Sequence, residues 1–160
     1  MISDRVRDLL IEQVGHELSA HQAYYGISLY FEGQSLKKWA RLFHGQSVEE
    51  AQHATKIISF LVDNEVPFDL PAIGAGTTQY ASAQAAVQTA LDSEIRVTGQ
   101  FNALAAAAQE AADHRSVQFL QWFIEEQVEE ERTMRELLGL IDSGINLFVA
   151  EQLLEGQDPG

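Results

Sequence analysis

The sequence predicts an all-α fold: a four-helix bundle with one long crossover between the second and third helices and a short fifth helix. Three observations carry that expectation. Apolar residues recur every three or four positions through four long segments, which is the period of one helix face. Two of the breaks between segments are short and one is long. Each apolar stripe is interrupted near its middle by Glu, His or Gln, and the interruptions are evenly spaced along the chain.

Ser3 reads as the N-cap of a first helix that runs to Gly33, with Leu10, Val14, Ala20, Tyr24, Ile27 and Phe31 on its apolar stripe. At 1.5 Å rise per residue such a helix is a rod of roughly 45 Å, a length that suits a bundle. Gly15 and Gly26 fall inside it, where a glycine costs about 1 kcal/mol. Gly33, Gln34 and Ser35 read as a tight turn, with Ser35 expected to cap a second helix extending to about Asn64. These two helices should be antiparallel neighbours. Between 65 and 81 the helical period is broken by Pro67, Pro71, Gly74, Gly76, Thr77 and Thr78. A connection of that length needs a reason, and a crossover running the length of a bundle supplies one, leaving its flanking helices parallel.

The third helix is expected from about Ser82 to Ala112, with Val87, Leu91, Thr98, Phe101, Ala105 and Ala108 in register. Asp113, His114 and Arg115 read as the next turn. A fourth helix follows from about Ser116 to Asp142, carrying Leu120, Phe123, Met134, Leu137 and Ile141. Residues 145–154 are apolar enough for a short fifth helix, and 155–160 are expected to fray. One domain covers 1–160, with the bundle at about 3–143.

Composition narrows the function. With no cysteine, thiolate metal sites, iron–sulfur clusters, disulfides and cysteine nucleophiles are excluded together, so any metal must use Glu, Asp, His or Gln. A formal charge of −14 opposes nucleic-acid binding and favours attraction of cations. No stretch approaches the length that spans a bilayer, and no basic segment followed by an apolar run opens the chain. The expected location is the cytoplasm, with no membrane and no nucleic acid as partner.

The interruptions define the candidate site. Glu50 and His53 share a helix face within the stripe Trp39, Phe43, Gln46, Ile57 and Phe60. Glu17 falls within the first stripe, Glu94 within the third, and Gln127 and Glu130 within the fourth. Glu17 precedes Glu50 by 33 residues and Glu94 precedes Gln127 by 33; Glu17 to His53 and Glu94 to Glu130 are each 36. The chain therefore behaves as two helical hairpins offset by 77 residues. Folded as a bundle, all six groups meet at one level of the core, and no stripe carries a Lys or Arg to neutralise them. A lone interior Glu or His is more often a hydrogen-bonded core residue than a ligand. Six at matched spacing, without an internal cation, reverse that reading, because a buried uncompensated charge costs several kcal/mol. Two divalent metal ions would supply the missing charge. Oxygen-rich ligation with one imidazole suits iron or manganese better than a structural zinc, and a pair about 3.5 to 4 Å apart is a common arrangement.

This pattern resembles the ferritin family, and the non-haem bacterial ferritins in particular. Ferritin-like di-metal bundles are themselves described by one Glu from each of two helices and a Glu-x-x-His from each of the others. The resemblance covers nearly the whole chain. It implies that Glu17, Glu50 and His53 hold one iron and that Glu94 and Glu130 hold the second, with Glu50 bridging and Gln127 beside the second iron. It implies a further iron nearby, at Glu49, Glu126, Glu129 and Glu130, and makes Tyr24 an electron donor to the di-iron centre. Glu125 and Glu131 read as a solvated helix face, and Trp122 as a packing aromatic. Bacterioferritins repeat Glu-x-x-His on the fourth helix, where this chain has Gln127 and Glu130. They also carry a haem-ligating Met after the second-helix Glu, where this chain has Ala51, so no haem is expected. The activity implied is a ferroxidase: Fe(II) is oxidised by O2 or H2O2 and stored as mineral inside a homo-oligomeric cage of two dozen subunits. The alternative is a di-iron carboxylate oxidase or peroxidase without storage. Rubrerythrin-type enzymes usually add a cysteine-rich domain that this chain cannot have, and the small DNA-protecting cages build their metal site between subunits.

Overall fold

The computed structural model describes residues 2–154. Among them are four long helices, α1 (Asp4–Gly33), α2 (Lys37–Asp63), α3 (Ala83–Glu110) and α4 (His114–Asp142), then a short α5 (Leu147–Ala150) that continues as a 3₁₀ turn (Glu151–Leu153). Residues 155–160, expected to fray, lie outside the described residues.

The helix starts follow capping chemistry. Ser3 Oγ accepts from Val6 N at 3.3 Å, and Ser82 Oγ accepts from Ala85 N at 3.0 Å. α4 starts earlier than the sequence reading placed it. Asp113, read as part of a turn, is its N-cap: one carboxylate oxygen accepts from Ser116 N at 3.0 Å and the other from Ser116 Oγ at 2.7 Å. Ser35 does not cap α2. It occupies the left-handed region at φ 61° and closes the end of α1, where Leu36 N donates to Phe31 O at 3.0 Å. Leu36 precedes α2 without a side-chain cap, and its contribution is burial against the Phe31 cluster. The fifth helix is shorter than expected, because Asn146 Oδ1 caps it by accepting from Phe148 N and Val149 N and the chain tightens after Ala150.

Cross-helix contacts fix the directions. Tyr24 packs on Phe43 with centroids 6.0 Å apart while Ser28 Oγ donates to Ala40 O, so α1 and α2 are antiparallel. Phe101 stacks on Phe123 at 4.7 Å and Gln127 reaches Glu94, so α3 and α4 are antiparallel too. Gln13 meets Gln100, and Tyr24 meets Glu94, which sets α3 antiparallel to α1 and therefore parallel to α2. The crossover makes that possible by running along α1.

The two glycines of α1 are explained by that path. A Cβ on Gly15 would stand 3.1 Å from the Pro71 ring, and one on Gly26 would stand 2.0 Å from Thr77 O. Gln22 Nε2 fastens the strap between them by donating to Gly74 O at 2.7 Å. The modest helix cost of glycine is offset by the close approach of the crossover, the Pro71 ring on Gly15 and the Thr77 backbone on Gly26. At the far end Trp39 Nε1 donates to Leu147 O at 3.0 Å and holds α5 against the bundle.

The apolar core is in two pieces. One gathers Ile27, Phe31, Trp39, Phe43, Val87 and Met134; the other gathers Val6, Leu10, Ile57, Phe60, Phe101 and Leu120. Glu17, Glu50, His53, Glu94, Gln127 and Glu130, all buried, occupy the level between them.

Candidate metal centre

Each of the six polar residues sits at an inward position of a helix whose flanking turns are apolar, so the two core pieces hold their backbones in place from both sides. Among the described residues no Lys or Arg is buried. One ligand atom each from Glu17, Glu50 and His53 lies within 4.8 Å of the others, and the same holds for Glu50, Glu94 and Glu130. Glu50 belongs to both groups. His53 Nδ1 is 3.3 Å from Glu50 Oε2 and 3.8 Å from Glu17 Oε2, yet neither contact is a hydrogen bond. Glu17 Oε2, Glu50 Oε1, His53 Nδ1 and Glu130 Oε2 are buried without a hydrogen-bond partner. Buried polar groups are nearly always satisfied, and leaving one unmade costs roughly 1 to 3 kcal/mol. Four such atoms converging on one level make a set of donor atoms suited to cations.

The remaining polar contacts orient the carboxylates. Tyr24 Oη donates to Glu94 Oε1 at 2.7 Å. Gln127 points its amide nitrogen, not its carbonyl oxygen, at Glu94, with 3.1 Å to Oε2, 3.2 Å to the backbone carbonyl and 3.2 Å to Thr98 Oγ1. Gln13 Nε2 donates to Glu17 Oε1 at 3.2 Å. Gln13 was not singled out by the stripe pattern, although its position one turn before Glu17 is a spacing at which Gln and carboxylate meet.

The residues implied for a further iron are brought together only in part. Glu126 joins His53 and Glu130 in a third group within 4.8 Å. Glu49 is exposed and acts on Glu130 from the edge of the site. Glu129 is exposed and pairs with Arg132 at 3.1 Å, outside all three groups. Trp122 closes the same edge, with its ring 5.4 Å from His53 and Lys56 Nζ 3.5 Å above it. Glu131 is half-buried and bonds Arg135 and Thr98, and Glu125 stays on the exposed face.

A ferritin-like domain model of the ferritin family matches residues 7–143. The chain belongs to the ferritin family. Ferritin BfrB of Mycolicibacterium smegmatis is 36% identical over 147 residues, 91% of this chain and 81% of that protein. The bacterial non-heme ferritin of Staphylococcus aureus is 31% identical over 131 residues, 82% and 79% of the two chains. An open pore ferritin from Archaeoglobus fulgidus superposes with a TM-score of 0.93 at 25% identity, covering 98% of both chains, and a humanized archaeal ferritin does so at 0.92.

In this ferritin the electrostatics of the centre follow from crowding acids out of water. Burial, then the neighbouring Glu17, Glu94 and Glu130 charges, raise Glu50 well above the ordinary carboxylate range. Burial, with Glu94, Glu49 and Glu126 nearby, pushes Glu130 up to about 10. Glu94 is raised by burial against the opposing hydrogen bonds of Tyr24 and Gln127. Burial also acts upward on Glu17, but contacts with His53, Glu50 and Gln13 outweigh it and hold that carboxyl below its usual value. Without metal the acids share protons; cations would displace them.

Proposed function

We propose that this chain is an iron-storage ferritin that oxidises Fe(II) to Fe(III) at a di-iron centre within each subunit and passes the product to a mineral held in an oligomeric cage. The observation that carries this reading is the convergence of unpartnered buried donor atoms from Glu17, Glu50, His53 and Glu130, with no buried Lys or Arg among the described residues to offset them. Fe(II) is the substrate. Glu17, Glu50 and His53 would hold one ion, Glu94 and Glu130 the other, and Glu50 would belong to both. Each iron gives one electron to O2 or H2O2, and the protein contributes ligand geometry and negative charge. Tyr24, bonded to Glu94 through its hydroxyl, would be the electron donor beside the second position. Glu126 and Glu49 extend the carboxylates toward solvent and give oxidised iron a way out. Residues 1–160 act as one domain in this reading, in the cytoplasm.

The test is to load the protein aerobically with Fe(II) and run size-exclusion chromatography. A very large particle in which protein and many irons per chain elute together is the expected result. A small species holding about two irons per chain would favour a di-iron oxidase without storage.

A further inference from the structure

The two oxygens of Glu17 have different surroundings. Oε1 accepts from Gln13 Nε2 at 3.2 Å, whereas Oε2 is buried, has no hydrogen-bond partner and lies 3.8 Å from His53 Nδ1. Gln13 is only 2% exposed, and its Nε2 also donates to Gln100 Oε1 on α3 at 3.2 Å. Both amide protons of Gln13 are thus committed to acceptors. Turning the amide over would set its carbonyl oxygen against the Glu17 carboxylate, which only accepts, so Glu17 fixes its orientation and Gln100 receives the second amide proton. An amide in this place holds the carboxylate without adding charge. A Lys or Arg would hold it too, but would compete with any cation.

We propose that Gln13 is a positioning residue of the centre, which holds Glu17 through Oε1 so that the unpartnered Oε2 faces His53 and the other donor atoms, with Gln100 taking the second amide proton of Gln13. The inference rests on reading the centre as a metal site. Groups that orient metal ligands in this way typically change metal affinity 10- to 100-fold when removed.

The test is anaerobic titration of the full metal-free chain with Co(II), followed by visible absorption and calorimetry. Wild type is compared with Gln13→Met, which keeps the side-chain length and removes the donor, with Gln100→Met, and with Glu50→Ala as the control for the centre. Gln13→Met should weaken the tighter binding step by about 10- to 100-fold and shift its d–d absorption, leaving the weaker step unchanged. Gln100→Met should do the same to a smaller degree. Binding by Gln13→Met within about twofold of wild type with the same absorption would overturn the proposal. So would an equal loss at both steps with a lowered unfolding temperature, which is what a purely structural amide would give. If wild type has no Co(II) step that Glu50→Ala removes, the metal-centre reading itself fails.

Discussion

The α1–α2 hairpin places Glu17, Glu50 and His53 at the centre, and 77 residues on the α3–α4 hairpin places Glu94, Gln127 and Glu130 at the matching positions. In the first half all three can act as ligands, and Gln13 donates to Glu17 without joining them. In the second half the middle residue has become the donor: Gln127 binds Glu94 through nitrogen, and Tyr24 reaches across from α1 to bind the other oxygen of the same carboxylate. Similar helix geometry therefore supports unequal ligand sets. As metal positions, the first would have an imidazole and a shared carboxylate of its own hairpin, and the second would rely on Glu94, Glu130 and the borrowed Glu50. An iron in the second position should bind more weakly and leave more readily, which suits a centre that hands its product onward.

Glu50 is where the comparison breaks completely, because it belongs to both candidate donor groups. Glu50→Ala should lower the rate of Fe(II) oxidation by at least about 100-fold, more than the loss expected for a residue that only orients a ligand. The fold should survive, since a buried acid is removed as well. Stopped-flow oxidation at the wild-type rate would exclude Glu50 from the centre.

Gln127→Glu makes the second half resemble the first in charge. It replaces a donor to Glu94 by a fifth carboxylate and should tighten the hold on Fe(III). The first two irons per chain should oxidise quickly while later turnovers slow by roughly tenfold, a change in the range expected for altered ligand support. Mineralisation at the wild-type rate over many turnovers, with an unchanged two-step Fe(II) isotherm, would remove the asymmetry between the halves.

The halves also differ in how they answer to pH. Glu130, with its carboxyl at about 10 in the fold against an ordinary 4.5, binds more protons folded than unfolded through that interval. Its contribution to stability is complete below the ordinary value and is lost as pH rises toward the folded one. Glu50 is shifted in the same direction, while Glu17, held low, loses its contribution as pH falls. Metal-free protein should accordingly lose thermal stability between about pH 5 and pH 9, and Zn(II) should flatten that slope while releasing protons near neutrality. A pH indicator titration that detects no proton release would contradict the crowded-acid account.

The smallest effect expected is that of Tyr24→Phe, which removes one of two donors to Glu94. It should slow oxidation a few-fold, which is what loss of one hydrogen bond worth about 1 kcal/mol gives. Identical kinetics in single-turnover measurements would leave Tyr24 as core packing alone.

Much of this was legible in the chain because the six buried polar residues announce themselves as breaks in apolar stripes, a signal set by helix period alone. What stayed hidden depends on side-chain direction or on segments far apart in sequence. The spacing brings Gln127 to Glu94 but does not say which end of the amide faces it. Gly15 and Gly26 look like weaknesses in α1 until the crossover is seen lying against them. Ser35 and Asp113 each had a polar side chain beside a helix boundary. Asp113 became the cap of the following helix, whereas Ser35 was taken by the closing turn of the preceding one, a competition that residue type does not resolve.

If two metal positions share Glu50 across unequal halves, anomalous diffraction at the iron edge from crystals soaked anaerobically in Fe(II) will locate both. Two peaks are expected at this level of the bundle, one among Glu17, Glu50 and His53 and a weaker one among Glu50, Glu94 and Glu130. A single peak away from Glu50, or no peak between the two core pieces, would contradict it.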